Sequence, residues 1–142
     1  MTNPSQLHRI LRGVSVGALV LAWVSSGHAQ ARIIEVTADR DSRYKIAGMR
    51  VPEITVKAGE QVVLRVTARK AKSWNRDGSI HGFTLLRVKD RTRVEGWDLL
   101  FKSGTQEFVM TAPTEPGEYV VVCTVICSEE HEGMHMKFTV LP

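Results

Sequence analysis

Through much of this chain apolar residues recur at every second position, a period that matches the alternating faces of a β-strand and not the 3.6-residue turn of a helix. In "PEITVKAGEQVVLRVTARK", Ile54 and Val56 alternate with Thr55 and Lys57, and Val62, Leu64, Val66 and Ala68 follow in the same rhythm after a turn at Ala58-Gly59-Glu60. The turn-rich "AKSWNRDGS" ends just before the apolar run "IHGFTLLRV". A strand through Met110, a turn from Pro113 to Gly117 and a strand from Glu118 to Cys123 come next. The chain closes on "MKFTVLP", where Met136, Phe138 and Val140 alternate with Lys137 and Thr139. Only "DRTRVEGWDLLF", residues 90–101, breaks the pattern, and it reads as a short helix or an irregular loop. Six or more short strands at regular spacing predict an all-β, antiparallel sandwich or barrel.

The first thirty or so residues are of another kind. They hold no Asp or Glu, carry Arg9 and Arg12, run apolar from Gly13 to Gly27, and end on the small-residue stretch "HAQA". This is the pattern of a secretory signal peptide over 1–31, cleaved after Ala29 or Ala31. Its apolar core is shorter than the roughly 20 residues that span a bilayer, so cleavage is favoured over a retained membrane anchor. What remains, residues 32–142, is a chain of about 110 residues, enough for one domain with a modest core. Removing Arg9 and Arg12 lowers the formal charge from +4 to +2, too small an excess to argue for nucleic acid. Export places the domain outside the cytoplasm, where two cysteines ordinarily form a disulfide.

The two cysteines stand in "CTVICSEEHEGM", which adds His131 and Met134 to Cys123 and Cys127. The segment joins two predicted strands, so it forms a loop at one end of the sandwich, where such scaffolds carry their binding residues. A helix would also align Cys123, Cys127 and His131, but Gly133 and the β-branched "TVI" oppose it. Thiolate, imidazole and thioether are soft or borderline ligands that select copper over calcium or magnesium. One copper held by two histidines and a cysteine, with a weak methionine, needs a second imidazole, and His81 can supply it from the start of its strand. That arrangement leaves one cysteine over. Two thiolates, two imidazoles, a thioether and a nearby carbonyl would suit two coppers bridged by both sulfurs. His135 reads as a solvent-facing strand residue, and Met136 as core.

The pattern C-x-x-x-C-x-x-x-H-x-x-M, with "HGF" at His81 to Phe83 upstream, resembles the binuclear copper A domain of cytochrome c oxidase subunit II, which also occurs in nitrous-oxide reductase. The resemblance runs through "PGEYVVVC" and covers most of residues 32–142. It implies a cupredoxin-like Greek-key fold in which Cys123 and Cys127 bridge two copper ions and His81 and His131 each terminate one. The Met134 sulfur and the backbone carbonyl of Val125 would be the weaker ligands. The family often has Glu where this chain has Val125, so the magnesium site that this Glu serves is not expected. The membrane anchor usual in subunit II is also missing if the leader is cleaved.

A site filled by protein ligands leaves no open position for substrate, so the resemblance implies electron transfer and no catalysis by the domain alone. Electrons would come from cytochrome c or another periplasmic donor and pass to heme in an oxidase subunit I. Membrane contact would run only through that partner or an uncleaved leader. Trp74, Trp97 and Phe101 suit core packing, with a docking patch for the donor as the alternative. The rival readings are a mononuclear copper cupredoxin or periplasmic copper carrier, and a structural domain in which Cys123 and Cys127 form a disulfide.

Overall fold

The computed structural model describes residues 30–142, so all but the last two residues of the leader expected over 1–31 lie outside the described residues. Among the described residues nine strands form two sheets. They are β1 (Arg32–Ala38), β2 (Tyr44–Lys45), β3 (Glu53–Lys57), β4 (Gln61–Ala68), β5 (His81–Arg87), β6 (Arg93–Phe101), β7 (Gly104–Thr111), β8 (Gly117–Val122) and β9 (His135–Leu141). One sheet has the order β2-β1-β4-β7 and the other β3-β9-β8-β5-β6. A single turn of 3-10 helix, His131–Gly133, is the one helical segment among the described residues.

The alternation seen in the sequence is the alternation of burial. Ile54 and Val56 in β3, Val62, Leu64, Val66 and Ala68 in β4, and Met136, Phe138 and Val140 in β9 all point into the space between the sheets. Each fully buried side chain of this size contributes about 1.5–3 kcal/mol. His135 is exposed, as its position one residue out of phase requires. β5 departs from alternation: all its residues but Arg87 are buried, since β8 and β6 flank it in the sheet and Thr124 lies close against Gly82 and Thr84.

The sheets are mixed, where the sequence suggested antiparallel pairing throughout. β1 runs parallel to β4 and β3 runs parallel to β9. The turn at Ala58-Gly59-Glu60 explains this, because it hands the chain from one sheet to the other and β3 and β4 never pair. Gly59 supplies the positive φ of 70° that the turn requires. The turn is then tied down by Ala58 N–H to the Leu141 carbonyl, 2.8 Å, and Gly59 N–H to the Pro113 carbonyl, 3.2 Å.

Residues 93–101 are a strand and neither the helix nor the loop expected there. Buried Trp97 and Phe101 lie four residues apart, a spacing that imitates one face of a helix. Pairing with β5, through a register shift between Thr84 and Leu86 and a left-handed Gly96 (φ 78°), overrides that local signal. Trp97 packs edge-on against Phe138 at 5.3 Å between ring centroids, and Phe101 lies 6.1 Å from Phe83. Both are therefore core, and neither can belong to a docking patch. Trp74 alone of the three is on the surface, 53% exposed, with the Lys70 ammonium 3.2 Å above its ring.

Candidate metal centre

β5 begins at His81, β8 ends at Val122 and β9 begins at His135, so one end of the second sheet gathers His81 and the whole segment from Cys123 to Met134. That segment is a loop, and Cys123 N–H closes its base on the Met134 carbonyl at 3.1 Å. Inside it the chain reverses tightly. The Val125 carbonyl accepts Cys127 N–H at 2.8 Å, and the Cys123 sulfur lies 3.3 Å from the same oxygen. This reversal turns Ile126 outward, 67% exposed, and leaves Cys127 and Val125 fully buried.

The two sulfurs are 4.0 Å apart and both cysteines are free. A disulfide needs about 2.05 Å, so the structural pairing considered above is not what the loop forms. The side chains of His81, Cys123 and Cys127 bring their ligand atoms within 4.8 Å of one another, and all three residues are buried. His81 Nε2 lies 2.8 Å from the Arg69 carbonyl, and because a carbonyl only accepts, Nε2 carries the proton. Nδ1 is then left with a free lone pair, buried and without a hydrogen-bond partner. An orphaned imidazole nitrogen beside two thiols is a donor set that fits a soft metal ion.

The other expected residues are placed less uniformly. Met134 is buried at the end of the 3-10 turn, and its N–H donates to the His131 carbonyl at 3.0 Å. His131 is half-buried and stands outside the three-residue cluster. Its Nδ1 donates to the Ser128 carbonyl at 3.0 Å, which leaves Nε2 as its free nitrogen.

Several supporting residues carried no signal in the sequence. Gly82 presents its N–H to the Cys123 sulfur at 3.3 Å, and a Cβ there would lie 2.6 Å from Thr124 Oγ1. Tyr44 reaches from β2 to donate its hydroxyl to the Gly82 carbonyl at 2.5 Å. Lys72 and Ser73 both donate backbone N–H groups to the Cys127 carbonyl, at 3.1 and 2.8 Å. These contacts link residues 38 to 55 positions apart in the chain, and no local pattern announces them.

No family model matches the chain, and no curated protein sequence matches it. Solved structures do. A chain of a heme-copper terminal oxidase dimer superimposes with a TM-score of 0.54 at 18% identity, over 79% of this chain and 66% of that one, just under two thirds of its length. Auracyanin from the photosynthetic bacterium Roseiflexus castenholzii gives 0.53 at 20% identity, over 79% of this chain and 98% of that one. The copper protein rusticyanin gives 0.51 at 19% identity, over 80% and 79%. The fold is that of the cupredoxins.

Within this cupredoxin fold the two thiols differ in proton affinity. Cys127 is held down to about 4 by the hydrogen bond from Cys123, with His81 and Ser42 adding to it against the opposing effect of burial. The same contact with Cys127, followed by burial, pushes Cys123 up. Of the two, Cys127 gives up its proton the more readily. Burial pulls His81 down, but the neighbouring Cys127 and the bond to the Arg69 carbonyl outweigh that, and its affinity is raised. The thiolate is the form of cysteine that ligates metal.

Proposed function

We propose that the chain is a binuclear copper A electron-transfer domain. The observation that carries this reading is the pair of unbridged sulfurs 4.0 Å apart in one buried cluster with the unpartnered Nδ1 of His81. Cys123 and Cys127 would bridge two copper ions, with His81 and His131 as the terminal nitrogens and Met134 and the Val125 carbonyl as the weaker ligands. His131 would have to turn from the Ser128 carbonyl, or bind through Nε2, to join them.

Bound copper would supply a one-electron couple. The protein's part is to hold the donors still. Arg69 fixes the tautomer of His81, the Gly82 N–H restrains the Cys123 sulfur, and Lys72 and Ser73 anchor Cys127 through its carbonyl. Ligands locked in this way change little between redox states, which keeps the reorganisation on electron transfer small.

The wider assignment follows from the same reading. A cytochrome c or similar periplasmic donor would deliver electrons, and a heme in an oxidase subunit I would receive them, a role supported by the likeness to a heme-copper oxidase chain. A leader over 1–31 would bring the domain to the periplasmic side, cleaved or kept as an anchor. Among the described residues no helix is long and apolar enough to cross a membrane. A copper A domain of the nitrous-oxide reductase kind would use the same site with a different acceptor.

A mononuclear copper site, in an electron carrier or a copper carrier, is the second reading, and the position of His131 outside the cluster favours it. Copper analysis and electron paramagnetic resonance of the purified domain test the two. Two coppers per chain with hyperfine structure shared between equivalent nuclei support copper A. One copper with single-nucleus splitting replaces it by the mononuclear site.

A further inference from the structure

Ser42 lies in the turn between β1 and β2, is 2% exposed, and adopts a left-handed backbone with φ of 55°. That region strains a residue with a Cβ and is usually filled by Gly, Asn or Asp. The turn itself is closed by Ser42 N–H to the Asp39 carbonyl, 3.1 Å, and Asp39 N–H to the Arg43 carbonyl, 2.9 Å, neither of which needs a hydroxyl. The side chain has another use. Its Oγ is 2.6 Å from Ser128 Oγ and 3.5 Å from the Cys127 sulfur.

Counting protons gives these contacts one direction. The Glu130 N–H donates to Ser128 Oγ at 3.1 Å. A metal-binding Cys127 has no proton, so its contact with Ser42 takes the Ser42 hydrogen, and the contact between the two serines takes that of Ser128. The chain then runs from Glu130 N–H through Ser128 and Ser42 to the sulfur, with every donor used once.

We infer that Ser42 is a positioning residue for the metal centre, whose hydroxyl donates to the Cys127 sulfur at the end of this relay. The inference rests on the proposed copper site. A hydrogen bond to a thiolate withdraws electron density from it, so the sulfur donates less to the metal and the reduced state is favoured.

The test uses copper-loaded protein with Ser42→Ala and Ser42→Gly. Glycine takes a φ of 55° without strain, so it removes the hydroxyl while sparing the turn. Both variants should shift the oxidised-to-reduced ratio at fixed applied potential at least about threefold toward oxidised, which is ~28 mV for a one-electron couple at 59 mV per tenfold. Both should also lose one exchangeable proton coupled to copper in electron–nuclear double resonance. Ser128→Ala should move the potential in the same direction by less. Unchanged potential and coupling in the glycine variant overturn the inference, even if the alanine variant is less stable. Failure of the copper reading is seen separately, as wild type that takes up no copper. In that event the positioning role falls with the copper site it serves, whereas copper-loaded wild type with an unmoved glycine variant overturns the role and leaves the copper reading standing.

Discussion

The sulfurs of Cys123 and Cys127 lie 4.0 Å apart while the Gly82 N–H stands 3.3 Å from the first of them and Ser42 Oγ 3.5 Å from the second. Two thiols of one loop, held from separate parts of the fold yet not joined, are arranged for something between them. The pair is positioned from three directions, by β5, by the turn after β1 and by their own loop.

Cys123 separates the two copper readings. Cys123→Ser removes one bridging sulfur and leaves His81, Cys127, His131 and Met134, enough for one copper at most. Copper content should fall from two per chain to one or fewer, and the hyperfine pattern should change from two equivalent nuclei to one. A wild type that already binds one copper ends the binuclear assignment.

Gly82 has no room for a side chain. In Gly82→Ala the new Cβ would meet Thr124 Oγ1 at 2.6 Å and Thr124 N at 3.0 Å, next to Cys123. Overpacking of this kind costs about 1–3 kcal/mol. Chemical denaturation should show that loss, and copper affinity should fall with it, because the displaced loop carries the thiols. Adding Thr124→Ala should restore part of the stability, since it removes the nearer clash but not the backbone one.

Met134 is buried, and leucine has nearly its volume. Met134→Leu should therefore change stability by less than about 1.5 kcal/mol. Copper should be retained, since a thioether is the weak member of the donor set. Loss of a donor to the metal should shift the reduction potential, which voltammetry reads directly. Complete loss of copper would show that Met134 holds the metal and does not merely tune it.

The turn that carries Ser42 depends on pH through Asp39. Its hydrogen bond with Lys45, together with the Arg40 N–H, holds its carboxyl down to about 2 from an ordinary value of 3.8. A carboxyl depressed by folding contributes stability that is complete above its unfolded value and disappears as pH falls through its folded one. Metal-free wild type should thus lose that contribution between about pH 4 and about pH 2. Asp39→Asn should lack this part of the acid dependence and be less stable than wild type at neutral pH. Parallel acid profiles for the two proteins would contradict the role given to Asp39.

The period-two rhythm of Ile54, Val56, Leu64, Val66, Phe138 and Val140 was sufficient to specify an all-β chain, because burial on one face of a strand needs nothing beyond the residue's own position. The spacing of Cys123 and Cys127 likewise foretold two neighbouring thiols, since residues four apart on one tight loop lie close together, whereas His131 on the same loop stands outside their cluster. Which strands pair was not legible: the Ala58-Gly59-Glu60 turn looks like a hairpin and instead carries the chain between sheets. Trp97 and Phe101 imitated a helix because only β5, far off in sequence, supplies the partner that makes their segment a strand. The surroundings of the thiols were hidden for the same reason. Ser42, Tyr44, Arg69 and Gly82 reach the centre through hydrogen bonds and close contacts between distant segments, and such contacts depend on distances that only the packed sandwich sets.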